Sequence, residues 1–399
     1  MRTYGELFRT PEFTPLFAGM SAQAAGGTVS GLALGSLVYA ATGSPLLSAL
    51  SLFGSSFAQV IGATTLLSIA DHLPPRTLLA AIATIFAAGT AVMAIPGMPI
   101  WGLFAVIAVL GLTGSVGGGV RWGLLSEILP GEGYVLGRSV FNMAAGAMQI
   151  GGFALGGVLV AALSPRETLL AAAALELLAA VVIRTGLTGR APRTSGRPSV
   201  RETWRVNALL WSSPARRRLY LALWVPNGLI VGCEALFIPY APGAAGVLFM
   251  SAALGMLAGD TVTGRFIPRD RRGRFVTPLR LLLAVPYLLF ALPLPLPVAA
   301  TAVATASAGF GAGLLLQDRL VALVPDGTRG QALGLHSAGM LTMQAVSASV
   351  AGLIAQYVPP ATTMALMACA SLVVTVALTP GLREPAAPAP AEAASPSPS

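Results

Sequence analysis

Long apolar stretches separated by short polar segments dominate this 399-residue chain. With 55% apolar and only 10% charged residues, it has too few polar groups to cover the surface of a soluble protein. Stretches of about 18 or more nearly uncharged residues predict membrane-spanning helices, and the chain therefore predicts an all-α membrane protein. Twelve helices, numbered 1 to 12, are expected at about 13–41, 46–70, 77–95, 100–122, 138–162, 168–186, 218–241, 246–264, 276–293, 298–317, 331–356 and 361–380.

The segments between these helices alternate in charge. Of the 24 basic residues, all arginine, only Arg166 falls in a gap of the uncharged kind. Short cytoplasmic loops retain Arg and Lys, so we place the arginine-bearing segments in the cytoplasm, and the even number of helices puts both termini there. Uncharged segments near 42–45, 96–99, 242–246, 293–297 and 357–360 alternate with arginine-bearing segments at 72–76, 121–138, 184–218, 260–280 and 318–329.

The net charge of +9 and the arginines at 184–218 raise the possibility of nucleic-acid binding. A large cytoplasmic loop has the same composition, and we expect contact with anionic lipid headgroups instead. Cys233 and Cys369 lie inside predicted helices, so neither a disulfide nor a metal site is expected. The glycine-rich sequence at 309–313 follows no strand, unlike a phosphate-binding loop. We therefore expect no enzyme activity and no cofactor.

The second half of the chain repeats features of the first. At an offset of 195 residues, Met148-Gln149 matches Met343-Gln344, and prolines at helix ends match too. Parallel repeats of this kind are typical of transporters. We expect six-helix halves at 1–186 and 216–380, a cytoplasmic linker loop at 187–215 and a disordered tail at 381–399.

Two short motifs carry a family resemblance. The sequence SIADHLPPR at 68–76 resembles the signature between helices 2 and 3 of the major facilitator superfamily. The sequence TGS at 42–44 is typical of its macrolide-efflux-like group of bacterial drug exporters. The resemblance covers the chain to about Pro380. It implies the twelve-helix major facilitator fold, with two pseudo-symmetric halves, in a bacterial inner membrane.

The first motif has a second copy. Asp71 precedes Arg76 by five residues, and Asp260 precedes Arg265 by five, each pair after the second helix of its half. In the family this loop is a conformational latch, so the resemblance implies a gating role for all four residues. The alternative is that Arg76 and Arg265 only set the topology.

Helix 5 contains the sequence GGFALGG at 151–157. It resembles the antiporter signature of the family, which has a proline where this chain has Phe153. Glycines four residues apart let membrane helices approach closely. We therefore expect Gly152, Gly156 and Gly157 to mediate helix packing.

Charged groups at membrane depth are costly, and each is a functional candidate. Glu234 lies inside helix 7 with no basic residue near it in sequence. Tyr220, Trp224, Asn227 and Glu234 recur at helical spacing and form one stripe, which we expect to face a cavity. Glu234 is the first candidate for proton coupling. The alternative is a protonated or paired carboxyl that fixes helix packing.

Four further polar residues complete the candidate set. Glu176 in helix 6 is a second proton-coupling candidate, although the resemblance implies a peripheral position for that helix. His336 in helix 11 could titrate near physiological pH or serve as a hydrogen-bonded structural residue. Arg121 in helix 4 could bind an anionic group, pair with Asp71 or reach the interface. Gln23 in helix 1 is expected to line the cavity.

Together these features predict a transporter that rocks two halves about a central cavity bounded by helices 1, 4, 7 and 10. We expect a monomer that exports a hydrophobic or amphipathic small molecule, such as a drug or natural product, driven by protons. Few deep charges argue against strongly anionic cargo. Two alternatives stay open: a proton-independent or uptake carrier of the same fold, and a membrane sensor or scaffold that transports nothing.

Overall fold

The computed structural model is all-helical in the residues that it describes, which are 4–65, 73–129, 132–191, 200–268, 271–325 and 328–383. Twelve helical spans are long and apolar enough to cross a membrane, as the sequence predicted. Helices 1 to 6 are Phe13–Thr42, Pro45–Phe53 with Ser55–Thr65, Pro75–Met93, Ile100–Ile128, Glu132–Ala162 and Pro165–Gly186. Helices 7 to 12 are Pro214–Glu234 with Phe237–Tyr240, Ala245–Phe266, Arg272–Ala284, Leu296–Ala308 with Ala312–Ala322, Arg329–Ile354 and Pro360–Arg383.

Two residues turn the chain between helices 1 and 2. Gly43 has a φ of +63° and donates its N–H to the carbonyl of Tyr39 at 2.8 Å, which ends helix 1. The hydroxyl of Ser44 then accepts the N–H of Leu47 at 3.3 Å, and Pro45 occupies the first turn of helix 2. The TGS motif therefore supplies the stop signal of one membrane helix and the start signal of the next.

Four spans are irregular along their length, and one of them is helix 7, which is interrupted at Ala235 and Leu236. Helix 2 is interrupted at Gly54, helix 9 continues as the 3-10 helix Val285–Ala291, and helix 10 contains the 3-10 turn Gly309–Gly311. Pro286 has no N–H and cannot extend the α-helical ladder, which accounts for the change in helix 9. A Cβ on residue 309 would lie 2.6 Å from the carbonyl oxygen of Leu279 in helix 9, so this glycine lets two backbones approach closely.

The spans form two six-helix halves. Helix 1 packs against helices 5 and 6 in the first half, and helix 7 packs against helices 11 and 12 in the second. In helix 7, 78% of the most apolar window is buried within the protein, compared with 11% in helix 5. Helix 7 is therefore the more enclosed of the two, whereas few residues of helix 5 are fully buried.

The linker was expected to be a loop, but part of it is the helix Val200–Ser212. The side chain of Leu210 is buried against the second half, whereas Trp204 is exposed. The segment is therefore amphipathic, and burial of its apolar face stabilises a helix where the arginine content suggested a loop. It packs against helices 7 and 11. The first three residues of the predicted disordered tail, 381–383, belong instead to helix 12, and the rest of the tail lies outside the described residues.

A carboxylate joins the start of helix 1 to the chain after helix 6. Glu12, with a φ of +68°, is the only non-glycine residue of positive φ in the described ranges. Its carboxylate accepts hydrogen bonds from the hydroxyl of Thr188 at 2.8 Å and from Nη1 of Arg190 at 2.5 Å. Nε of Arg190 also lies 3.4 Å from Glu127 at the end of helix 4. Three helix ends of the first half thus meet in one ionic cluster.

The charges in this cluster affect the titration of Glu12. Partial burial acts to raise its pKa, but the hydrogen bonds from Arg190 and Thr188 outweigh that effect and hold the pKa below its ordinary value. The ionised form of Glu12 is therefore the one that the fold favours.

Candidate functional site

The two halves touch at the end where the connecting loops carry no charge. Helix 5 meets helix 8 at Gly157 and Gly246, where a Cβ on Gly246 would lie 2.7 Å from the Cα of Gly157. Nε2 of Gln356, after helix 11, donates a hydrogen bond to Oγ of Ser44 at 2.8 Å. We call this region, defined by these four residues, the closed seam. Its tight glycine contact leaves no room for a solute to pass between helices 5 and 8 at that point.

Helix 5 packs against both halves. On one face, Gly152 lies against the side chain of Thr28 and Gly156 lies against helix 1 one turn further on. On the other face, the ring of Phe153 stacks on Phe249 of helix 8 with centroids 4.8 Å apart. The residue that replaces the proline of the antiporter signature therefore extends the closed seam.

Two members of the helix 7 stripe contact helix 11. Tyr220 is fully buried, and its hydroxyl donates to the carbonyl of Ala332 at 3.3 Å. Nε1 of Trp224 donates to the carbonyl of His336 at 3.0 Å. The ring of Trp211 from the linker helix stacks on Trp224, with centroids 5.5 Å apart and planes 9° from parallel. These contacts join helices 7 and 11, and a cavity role for Tyr220 and Trp224 stays a prediction.

Glu234 ends the long segment of helix 7 beside the contact between the halves. It is 9% exposed, and its Oε1 is buried with no hydrogen-bond partner among the described residues. The next residue, Ala235, packs in one small cluster with Ala49 of helix 2. Tyr287 of helix 9 lies near enough for the charge of Glu234 to act on it, and its hydroxyl is likewise buried without a described partner. Two buried polar atoms, Oε1 of Glu234 and the hydroxyl of Tyr287, thus have no hydrogen-bond partner among the described residues.

Asn227 and Gln23 occupy the two central helices. Asn227 is buried in helix 7, and Gln23 is half-buried in helix 1. No hydrogen bond joins them within the described ranges, so their assignment to the cavity stays a prediction.

Glu176 is buried in the core of the first half. Its carboxyl lies against Gly26 of helix 1 and near Thr90 of helix 3, but neither oxygen makes a hydrogen bond of normal geometry to a described residue. Thr90 also borders a cavity of about 140 Å³ enclosed by helices 1 to 4. The other polar side chains around this cavity are Ser30, Ser51, Ser55 and Gln59.

His336 is 7% exposed, and its Nδ1 has no partner among the described residues. Its backbone carbonyl accepts the indole N–H of Trp224. The residue therefore helps to join helices 7 and 11 through its backbone, while its imidazole has a free nitrogen in the core of the second half.

Arg121 lies in an aromatic environment near the arginine-bearing end of helix 4. Its guanidinium carbon is 4.5 Å from the ring centroid of Trp122, and that of Arg138 in helix 5 is 5.2 Å from the same ring. Cation–π attraction therefore stabilises both arginines. Asp71, the alternative partner of Arg121, lies outside the described residues.

The gating candidates do not form two equivalent loops. Arg76 begins helix 3 and is half-buried, with no described partner for its Nε. Asp260 and Arg265, expected as a second loop, both lie inside helix 8. No glycine–proline pair or charge cluster breaks the helix before Pro268, so it continues through both residues. The expectation of a loop was wrong there, and a gating role for these residues stays a prediction.

The structure also identifies a residue that sequence reasoning missed. Arg280 is 1% exposed inside helix 9, and its Nη1 donates to the carbonyl of Thr375 in helix 12 at 3.5 Å. Its Nε and Nη2 have no partner in the described ranges. The sequence placed Arg280 at the end of an arginine-bearing segment. The sequence did hold an indication that Arg280 is buried, because this residue lies within the apolar run of helix 9 and not in the polar segment that precedes it.

The fold resembles that of known transporters. A crystal structure of a POT family transporter in complex with 5-aminolevulinic acid matches with a TM-score of 0.74 at 11% identity, over 93% of this chain and 96% of that chain. The nucleoside transporter NupG matches with a TM-score of 0.72 at 14% identity, over 93% and 99%. A bacterial homologue of the human lysosomal transporter Spinster, inward-facing and unoccupied, matches with 0.69 at 12% identity, over 93% and 96%.

These neighbours are membrane transporters of the major facilitator fold rather than enzymes, and the expected fold class is confirmed. At such low identity they establish the fold alone. No protein-family model matches the chain, and no curated protein matches it.

Proposed function

We propose that this protein is a secondary active transporter that exports a hydrophobic or amphipathic small molecule from a bacterial cytoplasm in exchange for protons. The proposal rests on the carboxyl of Glu234, whose Oε1 is buried without a hydrogen-bond partner among the described residues. The next residue, Ala235, packs against Ala49 of the other half. An ionisable group at the junction of two moving halves is suited to couple protonation to their movement.

The chemistry of that position supports a proton-carrying role. An ionised carboxylate without a partner in an apolar core is strongly unfavourable. Glu234 can hold a proton while the seam covers it and release the proton when the halves separate and water enters. Substrate and proton would then favour opposite arrangements of the two halves.

The closed seam supports alternating access. It lies at the uncharged-loop end, which the arginine distribution assigns to the outside of the cell. The described arrangement is then closed to the outside, and rocking the halves would part Gly157 from Gly246 and Ser44 from Gln356. Asn227 and Gln23 would contribute uncharged polar contacts to the central cavity, which favours cargo without strong negative charge.

A carrier of the opposite direction, or one without proton coupling, is the second candidate. Peptide and nucleoside transporters are among the structural neighbours, and their fold does not distinguish the two directions. A membrane sensor is the third candidate.

The test uses proteoliposomes with an acidic lumen and the arginine-bearing face outside. A pH gradient should drive amphipathic dyes into the lumen, and Glu234→Gln should lose the stimulation by the gradient. Glu167→Gln, which removes an exposed carboxyl at the start of helix 6, is the matched control and should transport normally.

Each contrary result selects another candidate. Undiminished gradient-driven flux in Glu234→Gln would overturn the proton-carrier assignment. Flux that ignores the gradient in the parent protein favours the uncoupled carrier. Absence of flux for a broad panel of compounds favours the sensor.

A further inference from the structure

A cavity of about 490 Å³ lies at the arginine-bearing end of helices 9, 10 and 12. It opens between the first turns of helix 9 and the last turn of helix 12. The described contacts of helices 9, 10 and 12 are mainly with their own half, so the cavity faces away from the closed seam. It is therefore separate from the transport site proposed above.

Two arginines line this cavity without acidic partners. Arg274 is exposed and makes no ion pair with a described residue. Arg319 donates from Nη1 to the carbonyl of Leu382 at 2.9 Å, and its Nη2 lies 2.9 Å from the position of a Cβ on Gly273. Neither contact involves a carboxylate, so neither neutralises the positive charge of the Arg319 guanidinium. Among the described residues that line the cavity there is no aspartate or glutamate.

The described carboxylate next to Arg319 in sequence is already paired. Asp318 precedes Arg319 in sequence, and its Oδ2 accepts a hydrogen bond from Nη1 of Arg272 at 2.5 Å. Other arginines on this side are satisfied differently: Arg216 donates to three backbone carbonyls. Two uncompensated positive charges thus remain on one concave surface, which favours an anionic ligand.

The floor of the cavity is apolar. Val276, Pro278, Leu281 and Leu382 contribute to its lining. A small soluble anion would gain nothing from this floor, whereas a molecule with both an anionic head and hydrocarbon chains would cover it. The first turn of a membrane-spanning helix lies at the level of the lipid headgroups, where such molecules are abundant.

We propose that this cavity binds an anionic phospholipid. The phosphate lies between Arg274 and Arg319, and an acyl chain follows Leu281 and Leu382 toward the bilayer core. Basic residues near an anionic headgroup contribute about a fivefold factor in affinity each. Loss of both arginines should therefore weaken binding by about 25-fold.

Native mass spectrometry of the delipidated full-length protein tests the proposal. The probes are phosphatidylglycerol, phosphatidylethanolamine with the same chains, and inorganic phosphate. The parent protein should prefer phosphatidylglycerol. Arg274→Gln with Arg319→Gln should abolish the preference, whereas Arg217→Gln with Arg265→Gln should retain it. The control removes the same charge from two exposed arginines that are not among the described lining residues of this cavity.

A second variant guards against misfolding, because Arg319 also holds the end of helix 12. Leu281→Trp keeps both arginines but fills the apolar floor of the cavity, and it should weaken phosphatidylglycerol binding. As a separate variant, Arg274→Gln alone should remove about half of the preference for phosphatidylglycerol over phosphatidylethanolamine on a logarithmic scale. Equal binding of both lipids by the parent protein, an equal loss in the control pair, or phosphate binding as tight as lipid binding would overturn the proposal.

Discussion

Substitution of Gly246 by alanine should weaken the closed seam. The new Cβ would lie 2.7 Å from the Cα of Gly157 and 3.1 Å from the carbonyl oxygen of Phe153. Both are backbone atoms of helix 5, so no side-chain rotation can relieve the overlap. Helix 8 must instead move away from helix 5 at this end.

The size of the effect follows from these distances. Carbon atoms make favourable contact at about 3.5–4.0 Å, so the backbones must separate by about 1 Å. Overpacking of this kind costs about 1–3 kcal/mol, and a factor of ten in population corresponds to about 1.4 kcal/mol. If the open arrangement lacks this contact, the closed arrangement should lose about fivefold to 150-fold in relative population.

Distances between spin labels can measure that shift. Trp101 and Tyr357 are 76% and 85% exposed and lie in different halves at the uncharged-loop end. Labelled cysteines at these two positions, in a protein whose Cys233 and Cys369 are replaced by alanine, should show a longer interlabel distance in Gly246→Ala. Gly264→Ala is the matched control, since it lies in helix 8 with nothing within 4 Å of its Cβ position.

Two results would refute the reasoning. One is a Gly246→Ala distance distribution identical to that of the labelled parent. The other is an equal shift in Gly264→Ala, which would show that any added methyl in helix 8 perturbs the halves and that the backbone contact at the seam is not responsible.

Three other substitutions have defined outcomes. Gly339→Ala should lower the free energy of unfolding by about 1–3 kcal/mol, because the methyl would overlap the half-buried indole ring of Trp224 in helix 7. Gly334→Ala, which faces open space, should not; thermal melts of both variants check this. Because the pKa of Glu12 is lowered in the folded protein, its ionised form stabilises the fold above the ordinary carboxyl range, and this contribution is lost as pH falls through the lowered pKa. Glu12→Gln should therefore show a smaller drop in melting temperature between about pH 7 and pH 3 than the parent protein. An unchanged dependence of melting temperature on pH would contradict this. Arg280→Met should raise stability by at least about 1 kcal/mol by removing a buried charge with unpartnered nitrogens; a lower melting temperature would show that the guanidinium is compensated.

The sequence predicted the twelve spans well because hydropathy and arginine placement are local properties. It missed the 3-10 turn at Gly309–Gly311, because that turn depends on how closely helix 9 approaches. It also missed the burial of Arg280, which requires knowing that helix 12 covers this side of helix 9. Arginine content suggested a loop at 200–212, and only contact with helices 7 and 11 shows why an amphipathic helix forms there.

For the candidate site residues, too, local properties could be predicted from the sequence and contacts between helices could not. Periodicity placed Glu234 correctly within helix 7, since a helical stripe can be read from spacing alone. That Tyr220 and Trp224 donate to carbonyls of helix 11 could not be read from spacing, because it depends on which neighbour the stripe meets.

The stacked pair of Trp211 and Trp224 gives the molecule a built-in optical reporter. One indole belongs to the linker helix and the other to the most enclosed membrane helix, with planes only 9° from parallel. Parallel indoles this close share electronic excitation, so their near-ultraviolet absorption and emission differ from those of separate rings. Detachment of the linker during any conformational cycle would therefore change the intrinsic fluorescence of the native protein, without any attached label.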